Sequence, residues 1–84
     1  MALIVHPDGS QSSSVFTGKL DLKTLQDYVG GWIEIVPVRT MGFSYVVVNE
    51  EGRINGLPLN QTASTLAGRE LVGVAVFCGK DEID

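Results

Sequence analysis

"VVVNEEGRINGLPLNQTAS", Val46 to Ser64, is the stretch on which the fold turns. It opens as a β-branched strand and turns at two adjacent carboxylates, Glu50 and Glu51. It then passes Gly56 and Pro58 and reaches Asn60, which reads as a helix cap before a short helix from Gln61 to Ala67 stopped by Gly68. Within "NEEGR", Gly52 is expected to supply a positive φ, and "RIN" to pair back as a short strand.

Upstream of it, "FSYVVVN" (Phe43 to Asn49) reads as a strong strand. "WIEIVPV" (Trp32 to Val38) is a second, with Trp32, Glu34 and Val36 on one face and Ile33 and Ile35 on the other. Pro37 cannot donate to a ladder, so that strand is an edge or is bulged there. "DLKTLQDYVGG" is the main helix, with Asp21 as N-cap, an apolar stripe of Leu22, Leu25, Tyr28 and Val29, and Gly30 as the left-handed stop. "ALIVH" at the start is a strand closed by the turn Pro7-Asp8-Gly9. "SQSSS", Ser10 to Ser14, reads as a mobile loop, and "VFTGKL" adds a few extended residues. Downstream, "ELVGVAVFCG" is apolar on both faces, which implies a central strand or a face covered by a partner chain. The expected order is β-α-β-β-β-α-β: an α+β fold with a small, mostly antiparallel sheet, one main helix and one short helix, residues 1–84 forming a single domain.

The chain has 84 residues and a net charge of −4. That charge disfavours a nucleic-acid backbone as partner, since such binding needs clustered Lys and Arg. With Cys78 the only cysteine and His6 the only histidine, an internal disulfide is excluded and a structural zinc is not expected. Small domains often gain stability by self-association instead, so a homo-oligomer is expected. The apolar runs are strand-length and the N-terminus has no positive region ahead of a long apolar core. No membrane span and no signal peptide are expected, and the location reads as cytoplasmic.

No catalytic constellation is visible. Glu50 and Glu51 are neighbours on an extended chain and point apart, a poor geometry for a general acid and base. Cys78 lies in an apolar strand, which suits an inert thiol better than a dyad with His6. No phosphate loop, dinucleotide fingerprint or metal spacing occurs. The chain therefore reads as a non-enzyme without cofactor or metal. Binding groups are better represented. Asn49, Asn55, Asn60 and Gln61 offer donors and acceptors suited to a base edge or a ribose. The start of the second helix offers N–H groups and the Thr62 and Ser64 hydroxyls to an anion. Trp32, after a Gly-Gly turn, is placed to stack on a base. A single pocket is thus expected, built from Gly31, Trp32, Asn49, Glu50, Asn60, Gln61 and Thr62 and shaped between two subunits. Arg39, Arg53 and Arg69 are available to offset the acidic balance.

Leu25-Gln26, Val29 to Glu34, Asn49 to Gly52, Leu57-Pro58-x-Asn60-x-x-Ala63 and Leu71-x-Gly73 form a pattern that resembles a family of small domains from phages, plasmids and mobile elements. The resemblance covers roughly residues 20–78. It implies a phage-type context, in which small domains act as sponges that hold cyclic nucleotide messengers of bacterial immunity away from their effectors. By that context the chain is expected to bind and sequester a cyclic dinucleotide or cyclic ADP-ribose type of molecule in the host cytoplasm without cleaving it. The alternative is an acidic protein–protein inhibitor of a host defence complex or nuclease, which would need one contiguous carboxylate face. A small hydrolase ranks third, for want of a nucleophile and base.

Overall fold

Three uninterrupted apolar runs, "ALIV", "VVV" and "AVFC", become the centre of one sheet in the computed structural model, which describes residues 2–14 and 20–81. The elements are β1 (Ala2–Val5), β2 (Gln11–Ser14), α1 (Leu22–Val29), β3 (Ile33–Thr40), β4 (Phe43–Asn49), α2 (Gln61–Ala67) and β5 (Ala75–Cys78). They form a five-stranded, fully antiparallel sheet in the order β2-β1-β5-β4-β3. The fold is α+β, with one main and one short helix, as the pattern predicts.

Each face of the sheet carries its own core. Leu3, Val5, Val46, Val48, Ala75 and Phe77 point to the side covered by Ala63, Leu66 and Ala67 of α2. Ile4, Val47, Val76 and Cys78 point to the side covered by Leu25 and Val29 of α1. Helices on both faces explain why strands of an antiparallel sheet read as continuous apolar runs instead of alternating. β5 is central, as its composition implies, and its two apolar faces are covered by the chain's own helices. Phe77, fully buried, meets Phe43 with ring centroids 5.9 Å apart and planes tilted by 50°.

Both helices are capped by the residues their sequence nominates. Asp21 accepts from the Thr24 N–H at 2.8 Å and Asn60 from the Ala63 N–H at 3.0 Å. Gly30 (φ 80°) and Gly68 (φ 72°) close the helices in the left-handed region. Leu22 is the member of the expected α1 stripe that stays outside, 52% exposed. β3 is an edge strand, and its register with β4 shifts between Pro37 and Thr40, so both consequences of Pro37 occur. Met41 (φ 50°) and Gly42 (φ 82°) make the two-residue turn between β3 and β4, with Thr40 opposite Phe43. Positive φ at both central positions is the type I′ geometry.

Four expectations need correction. Ser10 to Ser14 is not a loop: Gln11–Ser14 pairs with β1 as β2, because ladder bonds are made by backbone and need no apolar side chains. The hairpin is closed by His6 N–H donating to the Ser10 carbonyl at 2.9 Å and Ser10 N–H donating to Asp8 at 2.8 Å. "RIN" is not a strand; Asn55 N–H donates to the Glu51 carbonyl and Leu57 N–H to the Gly52 carbonyl, so the segment coils into successive turns. Gly52 has no positive φ; it is buried, and a Cβ there would lie 2.8 Å from Val72 Cγ2. The last strand starts only at Ala75, because Gly73 (φ 74°) breaks the extended run and Leu71 and Val72 turn to meet the segment before α2. The order is therefore β-β-α-β-β-α-β. The extended residues expected at "VFTGKL" fall outside the described residues except for Leu20, which is buried.

Candidate binding site

Register places one end of β1, β5, β4 and β3 together. Val5 lies opposite Ala75, and Ile33 lies opposite Asn49, so His6, Val74, Asn49 and Trp32 all emerge at the same end of the sheet. Gly31, Trp32, Asn49 and Glu50 are brought close there. Glu50 N–H donates to the Trp32 carbonyl at 2.8 Å. Asn49 is 7% exposed; its Nδ2 donates to the Val29 carbonyl at 3.2 Å and its Oδ1 accepts from Glu51 N–H at 2.8 Å. A Cβ on Gly31 would sit 3.0 Å from Asn49 Nδ2, so glycine at that position gives the amide its room. Asn49 thus ties the end of α1 to the turn after β4, and its amide is committed to that task.

Asn60, Gln61 and Thr62 lie elsewhere. Asn60 is fully buried, and its Nδ2 donates to the Val5 carbonyl at 2.9 Å and the Gly73 carbonyl at 2.8 Å. Those bonds anchor the start of α2 over β1 and β5, whereas Trp32 precedes β3. From β1 to β3 is three strand spacings, roughly 14 Å at about 4.8 Å each. Thr62 is on the β1 side too, with its hydroxyl 3.9 Å from where a Gly9 Cβ would be.

Two hollows open at this end. One, of about 430 Å³, is lined by Gln26, Asp27, Gly30, Gly31 and Trp32. Trp32 is 64% exposed in it. Its surroundings are electronegative: the Asp27 carboxylate and the carbonyl end of α1 both repel phosphate. The other is a groove of about 450 Å³ on the α2 side of the sheet. Its floor holds the buried Val36, Val48 and Leu71, and its rim carries Glu34, Glu50, Arg53, Ile54, Arg69 and Glu70. Arg53 Nη2 pairs with Glu70 Oε1 at 3.2 Å, an exposed bridge worth little by itself. The Arg69 side chain has no ion-pair partner among the described residues.

The seven residues proposed from sequence therefore divide three ways. Gly31 and Trp32 line the first hollow, Asn49 and Glu50 line the groove, and Asn60, Gln61 and Thr62 line neither. Glu34, Ile54 and Glu70 are groove residues that sequence reasoning passed over, because Glu34 and Glu70 sit in strand-like runs with no local signal. Arg53 and Arg69 were visible only as available cations; their nearness to one groove depends on long-range packing. The carboxyls held below their ordinary range are surface caps away from both hollows. Bonds from the Ser10 hydroxyl and N–H do this for Asp8, and bonds from Thr24 do it for Asp21. Among the described residues no cluster of three or more His, Cys, Asp or Glu is placed to hold a metal ion, and no helix is long and apolar enough to cross a membrane.

No curated protein and no solved structure matches the chain. Residues 1–84 match the family described as Domain of unknown function (DUF3846), and the chain belongs to that family.

Proposed function

We propose that this domain binds a small nucleotide-derived ligand in the α2-side groove and holds it without cleaving it. The observation that carries the reading is the composition of the groove: the exposed Ile54 on the same rim as an arginine, Arg69, with no ion-pair partner among the described residues. Ile54, 82% exposed on the rim, offers a base an apolar surface. Arg69 offers a phosphate a planar fork of N–H donors. Glu34 and Glu50 accept from ribose hydroxyls or an exocyclic amine. The Arg53–Glu70 bridge is exposed, so Arg53 can turn to a second phosphate at small cost. A volume of about 450 Å³ suits a small ligand.

The finer setting follows from the motif resemblance: a phage-type protein that sequesters a cyclic dinucleotide or cyclic ADP-ribose type of messenger in the host cytoplasm. The inhibitor alternative needs one continuous acidic face, whereas Glu34, Glu50 and Glu70 share the groove rim with Arg53 and Arg69, and Asp8 and Asp27 lie outside it.

Titration calorimetry with a panel of cyclic dinucleotides and cyclic ADP-ribose isomers tests this, followed by denaturation and recovery of the ligand. The expected result is intact ligand and, for Arg69→Glu, affinity at least about tenfold weaker, because a charged hydrogen bond is replaced by repulsion. Arg69 is exposed, so circular dichroism of the variant should match the parent. Retention of no ligand, or recovery of a cleaved product, overturns the proposal.

A further inference from the structure

We propose that the free edge of β3 pairs with the same edge of a second copy, in a two-fold register centred on Ile35. The proposal is independent of the ligand reading. It starts from one bond: Glu50 N–H donates to the Trp32 carbonyl. In an antiparallel pair, bonded and non-bonded positions alternate. Trp32, Glu34 and Val36 therefore bond inward to β4, and Ile33, Ile35 and Pro37 turn their backbone groups to the outer edge. The same alternation puts the Ile33, Ile35 and Pro37 side chains on the α1 side, where Ile33 packs at the margin of the core. Ile35 remains 42% exposed, and Pro37 is exposed. Among the described residues nothing pairs with that ladder edge, and it runs beside the exposed Ile35 and Pro37.

The edge is complementary to itself in one register. With Ile35 opposite the partner's Ile35, the two residues exchange both bonds, and each Ile33 N–H meets the partner's Pro37 carbonyl. The partner's Pro37 cannot donate back, so each Ile33 carbonyl at the ends of the pairing is left to water. Glu34 then faces the partner's Val36. Shifting the centre to Glu34 sets two carboxylates directly opposite, which is destabilising. Shifting it to Val36 puts a non-bonded pair at the axis, so the doubly bonded Ile35 pair is lost and each Ile35 faces Pro37, which cannot donate. The pairing is also self-limiting. The register shift between Pro37 and Thr40 ends the regular edge, and the opposite edge of the sheet, β2, is Gln and Ser. Two-fold pairing uses up both β3 edges and closes as a dimer.

The test uses the full chain in sedimentation equilibrium up to hundreds of micromolar, since so short an interface binds weakly. Ile35→Pro deletes an outward N–H and spares the β4 ladder, so its fold should survive. Association should weaken at least about tenfold, because the two bonds at the axis are lost. Independently, Ile35→Cys should form an intermolecular disulfide on oxidation, because residues paired across the axis lie about 5.5 Å apart at Cα. Glu34→Cys and Pro37→Cys should not, being displaced along the strand, and the parent controls for the buried Cys78. A parent chain monomeric throughout the range overturns the proposal. So does a folded Ile35→Pro that dimerises like the parent, or an Ile35→Cys that does not cross-link. If Ile35→Pro does not fold, the cross-linking pattern decides.

Discussion

Replacing Asn60 with Ala should be among the most damaging single changes in this chain, although its sequence context also suits a ligand contact. Asn60 is fully buried and its side chain makes three hydrogen bonds: to the Val5 carbonyl, to the Gly73 carbonyl and from the Ala63 N–H. Each is worth about 0.5–1.5 kcal/mol net, and the Ala63 bond is also the cap of α2. Together with the space left by the amide, the loss comes to about 3–5 kcal/mol. A domain of 84 residues has about 4–13 kcal/mol in all, so the variant sits near the edge of folding. The melting midpoint should fall by at least about 12 °C, followed by far-ultraviolet circular dichroism with urea titration as the second measure. Asn60→Asp sharpens the test. It keeps the cap acceptor but turns a carboxylate oxygen toward two carbonyls. Burial raises the folded-state pKa of the introduced carboxyl. The penalty relative to the parent is therefore smallest at acid pH and grows as pH rises through that pKa. A cost under about 1 kcal/mol for Asn60→Ala would refute the view that this amide holds α2 to the sheet.

Gly52→Ala should cost about 1–3 kcal/mol by overpacking against Val72 Cγ2 at 2.8 Å, and Val72→Ala in the same chain should recover much of it. Gly30→Ala meets nothing within 4 Å and should cost only its left-handed backbone, about 1 kcal/mol, with no such rescue; equal behaviour in both double-mutant cycles would contradict this. Met41→Asn should stabilise by about 0.5–1 kcal/mol, since Met41 is 64% exposed at φ 50° and Asn-Gly suits a type I′ turn; a lower urea midpoint would count against the assignment. Asp21 is held below the usual carboxylate range by bonds from Thr24, so its stabilising effect is present above the unfolded-chain value and is lost as pH falls through the lowered one. Asp21→Asn keeps a cap and should flatten that part of the acid limb; an unchanged acid limb would show that the cap carries no such linkage.

What was legible in the sequence was the chemistry that acts within a few residues. Asp21 and Asn60 announce helix starts because their side chains bond to N–H groups three residues on. Gly30 and Gly68 announce helix ends because the αL position is nearly free for glycine. Pro37 announces an edge because it lacks a donor. β2 was not legible: an edge strand of Gln and Ser pairs through its backbone and shows no apolar pattern. Gly52 was misread because its reason is Val72, twenty positions away and met only after α2 turns the chain back.

The expected pocket was misassembled for the same reason, at the scale of the sheet. Gly31 and Trp32 lie beside Asn49 and Glu50, since a hairpin of adjacent strands fixes that neighbourhood by register. Asn60 enters the expected group because a helix N-terminus offers N–H groups to phosphate. But β5 and β1 lie on the far side of β4, and the Asn60 amide is bonded across those two strands. A ligand touching both Trp32 and Thr62 would have to cross the sheet end past Asn49, whose amide is already spent on Val29 and Glu51. It would also have to run from the electronegative end of α1 to the opposite face. The groove asks for neither. Its floor is the buried α2-side core near the end of α2, and Arg69 stands one residue beyond the Gly68 cap that ends it. The stop signal that was legible as a helix end is thus also what delivers a cation to the rim.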